Sequence, residues 1–329
     1  MNNNVSMKKI IASFCILASI LIPPAVAQDA LCDASESVKA QPHQIRAPIT
    51  QRNKNLNRPL RKSSSAARAS IYPLSVLSVS GDVQFERAGQ TQLLGTGQYL
   101  YLNDIVSTGK NGFVSLRLGD GTVNALPPNA RIRLLQVNAY TARYELLKGR
   151  IESKVTKSPN AKKSTFEIRL PTVSIGVRGT HFSVAYDPNQ NTMKTEVREG
   201  LVKVQQRSTC SAPLMLSAGE SVRLDITPWQ VRPLLAAPAL VDSNETQRDP
   251  SRLTFKLQPI TGAQHYVAQV ANDAAFLDIE REFSSKDAQL QLPDDNLKDG
   301  FYYVRLMAED EQGLRGQARQ YLFLRNRPD

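Results

Sequence analysis

Between Val173 and Tyr186 the apolar residues change parity. Val173, Ile175 and Val177 are odd-numbered, whereas Phe182, Val184 and Tyr186 are even-numbered. Side chains alternate between the two faces of a strand, so one straight strand cannot bury both sets. The residues between them, Arg178-Gly179-Thr180, must hold a bulge or a corner, and glycine supplies the backbone angles for either. Gly176, Arg178, Gly179, Thr180 and Phe182 are therefore the candidate structural corner. A guanidinium at such a corner can bond carbonyls that the turn leaves unpaired. It can equally take a partner's carboxylate or phosphate. Both readings stay open on the sequence.

The surrounding chain, from Ile71 to Ile226, consists of short strands and turns. "FVSLRLGDGTVNAL" alternates Val114, Leu116 and Leu118 and then turns at Asp120-Gly121, a hairpin signal. "STGKNG" and "LPPNA" are further turn clusters. "YELLKGRIESKV" and "TEVREGLVKVQQ" share a glutamate followed by glycine, Gly149 or Gly200, and then a strand; "LSAGESVRLDI" repeats the glycine part at Gly219. These echoes predict stacked β units with a glycine at each corner. Helical periodicity is absent, so the expected fold class is all-β. After the Pro-rich "TPWQVRPLLAAPAL" come strands at short intervals that predict a small β-sandwich. Phe255, Tyr266, Val270, Tyr303, Val304 and Phe323 are its expected core or near-core members.

Taken in order, "VSGDVQFERAG", "LYLNDIVSTGKNGFVSLRLGDGTVNALPPNARIRL", "YELLKGRI", "VSIGVRGTHFSVAYD", "TEVREGLVKVQ" and "LSAGESVRL" resemble the FecR domain over residues 74–226. The resemblance implies an extracytoplasmic β-roll or short β-solenoid, and a role in protein or envelope-polymer interaction. In iron-uptake regulators that domain relays the state of an outer-membrane receptor to a cytoplasmic sigma factor. Those regulators have a cytoplasmic N-terminal segment and a central transmembrane helix, which the sequence here does not repeat. The C-terminal text is similar to fibronectin type III-like or Ig-like modules. The expected plan is a signal peptide over 1–27, a disordered basic linker over 28–70 and a FecR-like β domain over 71–228. A Pro-rich connector over 229–240 and the sandwich over 241–329 complete it. The two domains are expected to form a rod with binding edges.

Lys8 and Lys9, the run "IIASFCILASILI" and the "AVA" ending at Ala27 describe a secretory signal. The mature chain is thus expected in the periplasm and not as an integral membrane protein. Formal charge is +11, but residues 37–70 hold eight Lys or Arg and no acid, so the folded part is close to balanced. Nucleic acid is not an expected partner. An envelope protein or a cell-wall polymer is, and the basic linker is either a tether to an anionic surface or a solvated spacer. Cys32 and Cys210 could form one disulfide after export, or remain separate thiols.

Three widely spaced histidines, His43, His181 and His265, offer no metal-ligand spacing, and the expectation is no metal and no cofactor. Neither a nucleophile elbow nor a phosphate-binding glycine loop occurs. The reading is a non-catalytic interaction or signal-relay scaffold. A peptidoglycan- or polysaccharide-binding protein is the alternative, with an envelope hydrolase behind it.

Overall fold

Strands that change sheet at a left-handed residue build the larger part of the protein. The computed structural model describes residues 74–138, 141–157, 165–209, 211–241, 252–293 and 297–325. The expected signal peptide, the basic linker, His43, Cys32 and Cys210 lie outside the described residues.

The chain runs β1 (Leu74–Ser80), β2 (Val83–Arg87), β3 (Gln90–Leu93), β4 (Tyr99–Leu100), β5 (Ile105–Thr108), β6 (Phe113–Arg117), β7 (Val123–Leu126), β8 (Arg131–Val137) and β9 (Thr141–Lys154). It continues through β10 (Thr165–Arg169), β11 (Val173–Val177), β12 (His181–Asp187), β13 (Thr192–Glu199), β14 (Leu201–Gln206), β15 (Leu214–Ser217), β16 (Glu220–Arg223) and β17 (Val231–Pro233). A first sheet has the order β4-β1-β6-β7-β9-β12-β13-β16-β17. A second has β3-β2-β5-β8-β9-β10-β11-β14-β15, antiparallel except for β9 beside β10. Strand β9 belongs to both: its N-terminal half pairs β8 and its C-terminal half pairs β12.

The chain crosses between the sheets at Gly81, Asn103, Asn129, Gly149, Gly179, Gly200 and Gly219, all with positive φ. Three of these glycines, Gly81, Gly149 and Gly200, are also sterically required, and a Cβ on Gly81 would lie 2.0 Å from the Asn111 carbonyl oxygen. A Cβ on Gly149 (φ +82°) would lie 2.5 Å from the Asn129 carbonyl oxygen and 2.6 Å from Ala130 Cα. One on Gly200 (φ +83°) would lie 2.7 Å from Thr180 Cγ2 and 2.9 Å from the Gly179 oxygen. Successive corners thus stack backbone on backbone. The echo at Gly149 and Gly200 has this cause, whereas at Gly219 the positive φ of +86° alone favours glycine.

The parity change has the same cause. Strand β11 lies in the second sheet and β12 in the first, so the inward side reverses at the corner. Val173, Ile175, Val177, Phe182 and Val184 all reach one apolar core, with Phe166 set edge-on to Tyr144 and Phe182 at 5.5 and 6.1 Å.

The C-terminal part comprises β18 (Arg252–Lys256), β19 (Ala263–Ala271), β20 (Ile279–Ser285), β21 (Gln289–Pro293), β22 (Gly300–Asp310) and β23 (Arg315–Arg325). A four-stranded sheet β20-β19-β22-β23 packs on the pair β18-β21 as sandwich-like layers. Tyr266, Ala268, Val270, Val304, Leu306 and Ala308 fill the space between them with Phe255 and Leu290. The alternate residues Val267, Gln269, Arg305 and Met307 are also buried, because the other face of that sheet lies on the first sheet of the roll. The sandwich therefore meets the roll face to face, not end to end as a rod requires. The connector is stitched to both parts: Leu234 N–H donates to Gly219 and Gln317 N–H to Leu235.

Candidate functional site

The outward face of the first sheet divides into rows that cross the strands. Register places Ser115, Ala125, Glu152, Ser183, Glu196 and Ser221 in one row on consecutive strands from β6 to β16. Small residues make this row a shelf, and two carboxylates stand on it. Their inward neighbours Ile151, Val184 and Val197 are core residues, so alternation sends Glu152 and Glu196 out of the roll.

The sandwich closes over the shelf with arginines. Arg305, 4% exposed on β22, donates from Nη1 and Nη2 to the two oxygens of Glu152 at 2.9 and 2.5 Å. Its Nε donates to Gln269 Oε1, and its guanidinium lies 4.7 Å from the centre of the Phe276 ring. His181 Nε2 is 2.7 Å from Glu152 Oε1, and Arg198 Nη1 is 3.9 Å from the same oxygen. Glu196 accepts from Arg150 Nη1 at 2.8 Å, from the Ser183 hydroxyl, and from the Arg315 backbone N–H at 3.1 Å. Arg315 in turn donates to Glu282 at 2.7 and 3.1 Å. Phe113 of the roll packs with Ala271, Phe276 and Ile279 of the sandwich beside this network.

The electrostatics follow from burial opposed by cations. Burial works to raise the Glu152 carboxyl, but Arg305, Arg198 and His181 override it and hold the group well below the usual carboxylate range. Glu196 and Glu282 are lowered in the same way, burial being outweighed chiefly by Arg150 and by Arg315 respectively. Burial also lowers Arg198, and Glu152 offsets this only in part because Arg305 repels it. Arg198 Nε has no hydrogen-bond partner among the described residues. Truncating one member of such a pair strands a buried charge, which costs about 3–5 kcal/mol.

A cleft of about 380 Å³ opens at the rim of this seam, lined by Lys110 and Pro128 of the roll and His265, Glu282, Glu309 and Arg315 of the sandwich. Its cations and carboxylates are mixed, and Arg315 is already held by Glu282. Among the described residues, no group of three His, Cys, Asp or Glu is placed to hold a metal, and no helix is long and apolar enough to cross a membrane.

The corner residues lie as follows. Gly176 is within β11, Phe182 is fully buried, and Thr180 is buried with its hydroxyl unpartnered. Gly179 has φ +64° and Arg178 is exposed. The Arg178 guanidinium bonds no carbonyl among the described residues, which corrects the carbonyl-satisfying reading. Backbone from the end of β9 satisfies the corner instead: Val155 N–H donates to the Thr180 carbonyl at 2.8 Å. His181 sits in the interdomain network and His265 in the cleft.

Glu152, Glu196, Arg305 and Arg315 were not singled out by sequence reasoning. Their signal is in "FYYVRLMAED", where Arg305 stands in a strand apolar on both faces. Such a strand is buried on both sides, and a lone arginine inside it needs a carboxylate across the interface.

Residues 104–203 match the family model described as FecR protein, a shorter stretch than the one read from the sequence. It begins at the buried Asp104 and includes the corners at Gly149, Gly179 and Gly200. No curated protein matches the chain. Among solved structures, the chain is similar to an anti-sigma factor from Parabacteroides distasonis ATCC 8503 (20% identity, 39% of this chain, 57% of that chain, TM-score 0.33). A second is the extracellular domain of a one-component system from B. thetaiotaomicron (9% identity, 77% of this chain, 57% of that chain, TM-score 0.17). The chain spans 57% of the length of each of these proteins.

Proposed function

We propose that the protein is an exported, non-catalytic scaffold of the cell envelope that holds a partner or relays its state. In this reading the FecR-like roll and a fibronectin type III-like sandwich act as one clasped unit. The observation that carries it is the shelf beneath the sandwich. The roll's buried Glu196 and largely covered Glu152 are committed to Arg305, Arg150 and the Arg315 backbone, so this polar cluster joins the two parts and leaves neither of these two carboxylates free for proton transfer. The FecR match over 104–203 supports an extracytoplasmic regulatory role. The Ala-Val-Ala text ending at Ala27 supports removal of the leader and release into the periplasm.

A tagged full-length chain expressed in a diderm bacterium tests this. Fractionation should give a processed, periplasmic form, and crosslinking in living cells should trap a partner whose yield falls when Arg305→Ala loosens the clasp. A full-length cytoplasmic chain would remove the export reading, and equal trapping by both forms would remove the clasped unit as the binding element.

A further inference from the structure

The two ends of the roll are finished differently. At the β17 end, Trp229 packs on the core and donates to the Leu224 carbonyl, and Arg232 lies 3.6 Å from Glu311 of the sandwich. At the other end the last rung is β3, on the edge of the second sheet, followed by β4, on the edge of the first. All four residues of β3 are exposed. Leu94 N–H donates inward to Val83, so alternation turns the N–H and C=O groups of Thr91 and Leu93 away from β2, where they have no partner among the described residues. Leu93 is 74% exposed, Leu102 58% and Tyr99 53%.

Strand edges are ordinarily guarded by charge, proline or a bulge. This one has no guard. Residues 88–103 contain no Lys, Arg, Asp, Glu, His or Pro, and β3 pairs β2 without a shift of register. Arg87 borders the run, but buried Asp104 grips it at 2.7 and 2.9 Å, and it already lies over the Tyr101 ring. Such an end has no grip on an ionic partner. We propose that it pairs with the same end of a second copy, β3 antiparallel to β3, giving a two-fold dimer with a continuous second sheet. Two observations select a second copy. An uncharged end meets its own image without repulsion. A lone peptide strand can pair β3, but Tyr99 stands on the other sheet, about 10 Å away, and would stay bare. The identical end of another copy presents a strand edge and a tyrosine at the same separation, and covers both. The two-fold closes the assembly at two copies, whereas head-to-tail growth would have to use the end that Trp229 and the sandwich already occupy. The proposal goes beyond the scaffold reading and does not depend on export.

Sedimentation equilibrium on residues 28–329 tests it, in reductant so that Cys32 and Cys210 cannot link copies. The expected result is twice the monomer mass, with a dissociation constant of about 10 µM. Leu93→Lys/Tyr99→Lys, at exposed positions that leave the core untouched, should raise that constant at least about thirtyfold. Thr91→Pro removes an outward N–H while sparing the bonds to β2, and should raise it about tenfold. Leu324→Lys, at an apolar position 58% exposed on the edge strand β23, should leave it unchanged. A monomer at about 200 µM would overturn the proposal and leave this end to a strand of another protein. Dimers that survive both β3-end variants, or that only Leu324→Lys dissolves, would overturn it too. A ladder of larger species would replace the two-fold with head-to-tail stacking.

Discussion

The interior of the roll and the seam beneath the sandwich are both largely shielded from solvent, but they are held by different forces. Inside the roll, Phe182, Ile151, Val184, Ile168 and Leu146 exclude water with almost no polar atoms among them. In the seam, Glu196 and Arg305 are buried, Glu152, Glu282 and Arg315 are largely covered, and the five must satisfy one another. Apolar burial is non-directional and tolerates small shifts, whereas a forked guanidinium on a carboxylate tolerates few. The roll interior thus supplies stability, and the seam fixes one relative position of the two parts.

That contrast can be broken at its strong end first. Phe182→Ala should destabilise the roll by about 4 kcal/mol through lost transfer energy and a cavity, read as a lower urea midpoint for the whole chain. A substitution at Gly149 acts on the corners rather than the core. Gly149→Ala should cost about 3 kcal/mol because φ is positive and the new Cβ meets backbone, whereas Gly89→Ala, where nothing lies within 4 Å, should cost about 1 kcal/mol. Similar melting temperatures for the two variants would remove the stacked-corner argument.

The seam should yield differently. Arg305→Ala should cost about 3 kcal/mol and expose β19 and β22 amides to hydrogen exchange while β10 and β11 stay protected. The paired change Glu152→Met/Arg305→Met should recover only part of the loss, since buried Arg198 then loses the carboxylate that offsets it. Uniform exchange across the chain would show that seam and roll open together.

Acid provides a finer probe. Glu152, Glu196 and Glu282 have carboxyls lowered in the folded state, so below the ordinary range, about pH 4.5, the unfolded chain binds more protons and stability falls. Seam protection should therefore decline as pH drops from about 4.5 while the roll core persists further. The smallest effect is expected at Arg178→Ala, within about 0.5 kcal/mol, because the side chain is exposed and unpartnered among the described residues. A loss of several degrees in melting temperature would mean that the guanidinium holds the corner after all.

The alternation of "FVSLRLGDGTVNAL" and its Asp120-Gly121 turn were legible because a hairpin is local: β6 and β7 pair directly through it. The parity change between Val177 and Phe182 was legible too, since inward and outward sides are set by counting along a strand. The sequence alone therefore determined the all-β class, the corners and the two apolar interiors. Which outward faces meet was not legible, because Glu152 and Arg305 are 153 positions apart and, although Arg305 stands out in a strand apolar on both faces, nothing local names its partner. Only the tertiary structure decided that the sandwich covers the serine-and-alanine shelf. Face-to-face docking depends on long-range shape and charge matching, which leaves no periodicity in the chain.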